Sequence, residues 1–196
     1  MTSPQHAARE SAQSALRIVS LVPSLTELVC ALGLFEHLVG RTGFCVHPRE
    51  ALRRVPKIGG TKDVRIDAVL ALEPTHVLVN VDENLRETAD TLARHGLEVV
   101  VTHPCTPEDN RALYRDFGAR FGRVEAARAL EAELDAALSD AAATAAALPV
   151  ERVLYPIWRE PWMTVTPDTY IAAMLERVGW RTLPEAAPRR YPEFAW

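Results

Sequence analysis

The sequence predicts an α/β fold built on a parallel sheet, for three reasons. Apolar strands without polar alternation are separated by helices through the N-terminal half, a pattern typical of a parallel sheet covered on both faces. The segment Arg17–Thr26 (RIVSLVPSLT) has the pattern of a buried strand, a tight turn and a helix start. An Ala-rich stretch, 124–148, predicts a long helix that separates this part of the chain from a shorter C-terminal part.

The first lobe is expected to span residues 16–122. Ser24 is expected to cap its first helix, with Glu27 three residues later completing a capping box and Gly33 ending the segment. A strand that feeds a capped helix places backbone N–H groups at the carboxyl edge of the sheet, where open α/β folds bind ligands. The expected strands are 16–22, 37–41, 76–80 and 97–102, and the expected helices are 24–32, 66–72, 84–95 and 106–121, the last with Thr106 as its N-cap.

The rest of the chain is divided between a bracing helix and a smaller lobe. The interlobe segment 123–148 carries a helix that would be roughly 37 Å long at 1.5 Å per residue, enough to span a small domain. Within 149–196 we expect a strand at 152–157 and a helix at 169–178, the latter capped by Thr166-Pro167-Asp168. These elements are too few to bury a second sheet, so the second lobe is expected to be incomplete or covered by a partner.

The composition excludes several classes of protein. The chain has 196 residues, of which 48% are hydrophobic, and a net charge of −4. This charge balance does not provide the basic face that nucleic-acid binding requires, and no run approaches the ~20 apolar residues of a membrane span. Residues 1–15 read as a polar tail without the apolar segment of a secretory signal. With only three scattered cysteines, a reducing compartment is expected unless the true start lies upstream.

Two short clusters of metal-binding residue types follow predicted strands. Cys45 and His47 come after the second strand. His103 and Cys105 come after the fourth, so both pairs are expected at one edge of the sheet. Two thiolates and two imidazoles suit tetrahedral zinc. The spacing is tighter than usual for zinc ligands and both histidines precede proline, so loop-capping residues are the alternative.

Aromatic residues mark a second candidate site. Trp158 and Trp162 lie close together at the end of a predicted strand, and Phe44 follows the second strand. Trp in a polar loop either caps a core or stacks on a ligand, and the sequence leaves both open. No G-x-S-x-G, G-x-G-x-x-G, P-loop or H-E-x-x-H motif is present, and a hydrolase would also need a nucleophile–base pair. We therefore expect a binding protein rather than an enzyme.

Several segments together resemble the first lobe of the substrate-binding proteins of iron-siderophore and vitamin B12 ABC importers, the helical backbone metal receptor group. They are RIVSLVPSLTELVCALGL (17–34), LVGRTGFCVHP (38–48), IDAVLALEPTHVLV (66–79) and GLEVVV (96–101). The helix 124–148 stands where that family has a rigid interlobe helix, and 155–165 with 169–180 match the beginning of its second lobe. The resemblance implies a two-lobe class III solute-binding fold, with parallel sheets joined by one long helix.

The resemblance also implies roles for individual residues. Phe44 matches an aromatic residue that lines the cobalamin cleft, and Trp158 and Trp162 match the edge strand of the facing lobe. Asn80 stands where the family has an aromatic residue after the third strand, and it is expected to contact the ligand as a polar residue instead. Asp67 matches an acidic residue presented to arginines of the permease, although it is also an ordinary first-turn acid.

The function implied is solute binding for an ABC permease. The expected ligand is a corrinoid (cobalamin), followed by haem or a ferric siderophore, with no cofactor required; His47 or His103 could ligate a bound cobalt. The resemblance places the protein in the periplasm, whereas the polar N-terminus favours the cytoplasm. The alternative is a cytosolic metal- or corrinoid-handling protein that uses the Cys/His cluster without a permease, and metal-dependent stabilisation would favour it.

Overall fold

The computed structural model describes residues 16–196, so the predicted polar tail lies outside the described residues. The chain forms two compact units, one ending at His103 and the other beginning at Pro104. The predicted lobe boundary at 122 and the separate interlobe segment 123–148 stay predictions.

The first unit contains the predicted parallel sheet. Its strands are β1 (Ile18–Ser20), β2 (Leu38–Arg41), β3 (His76–Asn80) and β4 (Glu98–Thr102), and its helices are α1 (Pro23–Ala31), α2 (Arg49–Leu52), α3 (Ile66–Leu70) and α4 (Arg86–Arg94). The strands lie in the order β2-β1-β3-β4 and all pair in parallel. Because the chain leaves β1 toward one side and β3 toward the other, their carboxyl ends form a topological switch point, the usual place for a ligand.

Aliphatic side chains from the sheet and its covering elements form the core of this unit. The fully or nearly fully buried members of this cluster are Val19, Leu21, Ile58, Val69, Val77, Val79 and Leu92. Gly40 of β2 permits close packing, since a Cβ there would lie 2.6 Å from Leu72 Cδ1. Burial of the strands on both faces explains why their sequences are continuously apolar.

The second unit combines a helix pair with a small sheet. It contains α5 (Asn110–Arg120), α6 (Val124–Ala146), β5 (Glu151–Leu154), α7 (Tyr170–Glu176) and β6 (Trp180–Leu183). The strands β5 and β6 pair in parallel. The helix α6 has 23 residues, which corresponds to roughly 35 Å. Ion pairs of Arg111 with Asp135 and of Arg115 with Glu131 join α5 to α6.

The three predicted helix caps have different outcomes. Thr106 is an N-cap as expected, and it also forms a capping box: its backbone N–H donates to the Asp109 carboxylate at 2.8 Å, in a single 3-10 turn before α5. The predicted cap at Ser24 is wrong, because Val22 is the N-cap and Pro23 opens the helix. Proline lacks an N–H and has a helical φ, so it starts a helix without a side-chain cap.

The cap of α7 also differs from the prediction. Thr169 is its N-cap and accepts a hydrogen bond from the Ala172 N–H at 3.2 Å. The predicted cap, Thr166, instead donates from its hydroxyl toward Asp168 and the Arg190 carbonyl. A threonine directly before the first helical residue reaches the third N–H of the helix, which Thr166 is too far away to do.

Among residues 16–196, no helix combines the length and the apolar character needed to cross a membrane.

Candidate functional site

Apolar side chains are exposed where the chain leaves the parallel strands of the first unit. Phe44 and Val46 follow β2 and are 63% and 50% exposed, and Val81 follows β3 and is 52% exposed. Leu85, shortly before α4, is 43% exposed. We call these four residues, together with His103 after β4, the carboxyl-edge surface. Exposed apolar groups with a few polar neighbours are the usual lining of a small-molecule site.

Hydrogen bonds and a contact between a carboxylate and an imidazole join the loops that carry this surface. The Gly43 N–H donates to the Gly59 carbonyl at 2.8 Å, which ties the loop after β2 to the turn at 59–64. From that turn, Lys62 Nζ donates to the Asp82 carbonyl at 2.9 Å. The Asp82 carboxylate lies 3.6 Å from His103 Nε2. The loops that follow β2, β3 and β4 are therefore connected along one edge of the sheet.

Asn84 fills the switch point beneath the surface. Its side chain is buried, its Oδ1 accepts from the Asn80 N–H at 2.9 Å, and its Nδ2 donates to the carbonyls of Leu21 at 3.3 Å and Thr61 at 3.0 Å. These bonds join the ends of β1 and β3 to the turn at 59–64. A buried polar side chain satisfied on both its donor and acceptor sides holds its neighbours in one arrangement.

The Phe44 ring lies against the backbone of the turn at 59–64. A Cβ placed on Gly60 would lie 3.3 Å from Cε2 of the Phe44 ring, so the ring rests against glycine backbone. The preceding Gly59 has a φ of +116°, and the Gly60 N–H donates to the Asp63 carbonyl at 2.8 Å. Only glycine adopts that φ without strain, and the resulting turn lies against the Phe44 ring, which stays 63% exposed.

Asn80, the predicted polar contact after β3, is half-buried at the end of the strand. Its Oδ1 accepts a hydrogen bond from the Asp82 N–H at 2.8 Å, which forms an Asx turn. Its side-chain nitrogen, Nδ2, donates to no other residue within 16–196. The Asn80 side chain therefore has an available Nδ2 donor, while its Oδ1 acceptor shapes the turn.

Glu83 is the titratable group of this region whose pKa is shifted. Burial raises the pKa of its carboxyl, and the neighbouring Asp82 adds to this increase, while Lys62 opposes it. The carboxylate form of Glu83 is therefore less favourable here than in the unfolded chain.

The structure does not assemble the predicted Cys/His quartet into a metal site. The Cys45 thiol is fully buried, with its Sγ 3.2 Å from Thr42 Oγ1. His47 is exposed, His103 is paired with an acid, and Cys105 belongs to the second unit, where its Sγ lies 4.0 Å from a guanidinium nitrogen. Within residues 16–196 no group of three or more His, Cys, Asp or Glu residues is arranged to hold a metal ion.

The two predicted tryptophans of the second unit have different surroundings. Trp158 is 63% exposed, and its backbone pairs with Met163 across a tight turn. Trp162 packs in an aromatic cluster: its ring centroid lies 5.7 Å from that of Trp196, nearly perpendicular, and 6.3 Å from that of Phe194. Trp158 therefore keeps its ring available for stacking, whereas the Trp162 ring is already packed against other rings.

Asp67, the predicted permease contact, lies in the first turn of α3 and is exposed. This position fits both predicted roles, because an acid is favourable near a helix N-terminus and an exposed carboxylate is also accessible to a basic partner.

Sequence reasoning missed three residues that shape the carboxyl-edge surface: Arg41, Gly60 and Asn84. Arg41 was taken only as the end of a strand, and nothing in the sequence indicates its burial. The pair Gly59-Gly60 indicates a turn in the sequence, and nothing there indicates contact with Phe44. Asn84 was assigned to a helix that begins at Arg86 instead, and an asparagine just before a helix was the one available signal.

A parallel sheet with exposed apolar side chains at its carboxyl edge is an arrangement that many ligand-binding α/β proteins share. The family model described as Periplasmic binding protein matches residues 18–191. The chain therefore belongs to the periplasmic binding protein family, which confirms the resemblance seen in the sequence.

Curated relatives and solved structures agree with this assignment. The vitamin B12-binding protein of Yersinia pestis (strain Pestoides F) is 31% identical over 93 residues, 47% of this chain and 33% of the relative. The vitamin B12-binding protein of Photorhabdus laumondii is 28% identical over 93 residues, 47% of this chain and 34% of the relative. The matched region thus spans about a third of the length of these relatives.

Two solved structures have the same fold. The periplasmic vitamin B12-binding protein of Vibrio cholerae aligns with a TM-score of 0.82 at 19% identity, covering 91% of this chain and 70% of that chain. A periplasmic heme-binding protein from Pseudomonas aeruginosa aligns with a TM-score of 0.79 at 27% identity, covering 89% and 64%. The predicted α/β class III solute-binding fold is confirmed.

Proposed function

We propose that the protein is a solute-binding protein for a corrinoid or a related metal chelate such as haem or a ferric siderophore, which it delivers to an ABC importer. The observation that carries this proposal is the exposed Phe44 ring, held against Gly60 at the carboxyl edge of a parallel sheet. A flat macrocycle or its side groups offers such a ring a large stacking area.

A corrinoid is the first choice among these ligands. The matching curated relatives are named vitamin B12-binding proteins, whereas a heme-binding protein is among the similar structures. The apolar residues of the carboxyl-edge surface would contact the ligand, and the Asn80 amide would donate to one of its polar side groups. The exposed Trp158 ring of the second unit would supply a further stacking contact.

Isothermal titration calorimetry with cobalamin, and in parallel with haemin, tests this proposal. We expect Phe44→Ala to weaken cobalamin binding at least about fivefold, which corresponds to the loss of about 1 kcal/mol of aromatic contact. Phe35→Ala is the matched control, since Phe35 lies before β2 and its ring faces the Arg54 guanidinium at 4.6 Å. Equal affinities for the Phe44 and Phe35 variants would contradict the proposal.

Delivery to a permease is the second part of the proposal, and the exposed carboxylate of Asp67 is its candidate docking group. Asp67→Arg reverses the charge without touching the carboxyl-edge surface. We expect this variant to keep the cobalamin affinity of the wild type while uptake of labelled cobalamin by the native host falls. Undiminished uptake would remove Asp67 from the docking site.

A further inference from the structure

We propose that Arg41 is a positioning residue for ligand binding, because its buried guanidinium holds the loop that presents Phe44. This inference rests on the proposed function, since it explains how the ring at the carboxyl-edge surface is fixed. Arg41 is 6% exposed at the end of β2. It therefore acts on a ligand only through the residues that it holds.

The Arg41 guanidinium binds backbone carbonyls on both sides of the loop. Its Nη1 donates to the carbonyls of Thr42 at 3.2 Å and Cys45 at 2.9 Å, the residues that flank Gly43 and Phe44. Its Nε and Nη2 donate to the Leu52 carbonyl at 3.2 and 3.0 Å, at the end of α2. One side chain thus closes the loop after β2 onto itself and onto the following helix.

This arginine forms no ion pair with any Asp or Glu of the described residues. A buried guanidinium without a carboxylate is costly unless its N–H groups are satisfied, and here backbone carbonyls accept four hydrogen bonds from it. The carbonyls must stay turned inward for this to hold, so the loop has little freedom. The Arg41 main chain is fixed as well, by an N–H donated to the Pro56 carbonyl at 3.0 Å and a bond accepted from the Ile58 N–H at 2.9 Å.

The hydrogen bonds of Arg41 and the turn at Gly59-Gly60 both position the Phe44 ring. The Arg41 bonds fix the backbone on either side of Phe44, and Gly60 supports the ring itself. The loop also carries the buried Cys45 thiol, whose Sγ lies 3.2 Å from Thr42 Oγ1 and joins the two ends of the loop. Loss of the guanidinium would release three carbonyls and let the loop move, whereas lysine has a compact ammonium that cannot match this planar fork of donors.

Two measurements on folded protein test the proposal. The first is a double-mutant cycle by calorimetry with cobalamin, which uses Arg41→Met, Phe44→Ala and the double variant. We expect Arg41→Met to weaken binding about fivefold in the wild-type background and less than about twofold in the Phe44→Ala background, since both changes remove the same stacking contact. Arg65→Met is the matched control, because the exposed Arg65 also donates to a carbonyl, that of Lys57, at 2.6 Å.

The second measurement needs no ligand. In protein labelled with 4-fluorophenylalanine, the ¹⁹F resonance that disappears in Phe44→Ala identifies the ring. We expect this resonance to shift or broaden in both Arg41→Met and Arg41→Lys, and to stay unchanged in Arg65→Met. The conservative Arg41→Lys decides the outcome if the methionine variant does not fold.

An unchanged Phe44 resonance in a folded Arg41 variant would overturn the positioning role. Equal losses of affinity with and without the Phe44 ring would also overturn it, since they would show that Arg41 acts by another route. Absence of both cobalamin and haemin binding by the wild type would instead contradict the proposed function, and the ¹⁹F result would still decide whether Arg41 positions the ring.

Discussion

The Asn84 side chain accepts a hydrogen bond from the Asn80 backbone N–H at 2.9 Å, directly at the carboxyl end of β3. The same side chain donates to carbonyls that follow β1 and lie in the turn at 59–64. A single buried amide therefore joins three segments that the sequence separates widely. This arrangement makes Asn84 a structural support for the carboxyl-edge surface.

We expect Asn84→Ala to lower the free energy of unfolding by about 1–3 kcal/mol, because it leaves buried backbone groups without partners. Asn84→Asp should also destabilise the protein, since a carboxylate keeps the acceptor but loses both donors. Urea denaturation of both variants measures the effect, with Thr91→Ala on the outer part of α4 as control. An Asn84→Ala variant as stable as the wild type would show that water replaces the amide without loss.

The helices α5 and α6 approach closely at Gly118, so replacing this glycine by alanine is expected to change the stability of the protein in the direction opposite to that of helix propensity. A Cβ on Gly118 would lie 2.5 Å from the Ala127 Cβ and 3.3 Å from the Arg123 carbonyl oxygen. Helix propensity alone predicts that Gly→Ala stabilises a helix by about 1 kcal/mol. We expect Gly118→Ala to destabilise the protein instead, because the two helices must separate.

Thermal unfolding followed by circular dichroism checks this sign. The control is Ala119→Gly on the exposed side of the same helix, which should cost only the propensity term of about 1 kcal/mol. A higher melting temperature for Gly118→Ala than for the wild type would mean that the helices separate at no cost.

The raised pKa of the Glu83 carboxyl predicts that the stability of the protein depends on pH. Burial is the main cause of the raised pKa of its carboxyl, so the folded protein holds this proton more tightly than the unfolded chain. In the pH range above the ordinary carboxyl pKa, the folded state therefore binds more protons, and stability decreases as pH rises through that range. Glutamine does not titrate, so Glu83→Gln should gain stability relative to the wild type on going from about pH 4 to about pH 7.

Urea denaturation at several pH values measures this gain, with the exposed Glu87→Gln as control. A stability difference between wild type and Glu83→Gln that is the same at all pH values would show that the Glu83 carboxyl titrates alike in the folded and unfolded states.

Variants at Trp158 and Trp162 distinguish stacking on a ligand from packing within the protein. If the exposed Trp158 ring stacks on the ligand, Trp158→Ala weakens cobalamin binding by at least ~1 kcal/mol with little change in stability. Trp162→Ala removes a ring from the cluster with Phe194 and Trp196 and should mainly lower stability. Trp180→Ala is a control at another exposed tryptophan, and a Trp158 variant with unchanged affinity would exclude the ring from the site.

The regular part of the fold follows from local patterns. The strand predicted at 76–80 is present as His76–Asn80, because a continuous apolar run bounded by Pro74 indicates a buried strand. The helix end at Gly33 is confirmed: its φ is +71°, and the Leu34 N–H returns to the Val29 carbonyl at 3.0 Å. Such signals involve only neighbours in the sequence.

The features that were missed depend on contacts between distant residues. Arg41 is buried because carbonyls from the following loop and helix converge on it, and an arginine in a sequence is by default an exposed residue. The role of Asn84 depends on Leu21, which is 63 positions away. The metal prediction grouped residues by their types and by the strands they follow, but the Cys45 side chain points into the interior, where it is fully buried.

The most direct test of the proposal that this protein binds a metal chelate is a tryptophan-fluorescence titration of the wild type with cobalamin, with haemin and zinc in parallel. All four tryptophans lie beyond His103 in the sequence, so quenching would report on the second unit. For protein that circular dichroism shows to be folded, we expect saturable quenching by cobalamin at micromolar concentration or below, after correction for absorbance. A folded protein that responds to none of the metal chelates, or to zinc alone, would contradict the proposal.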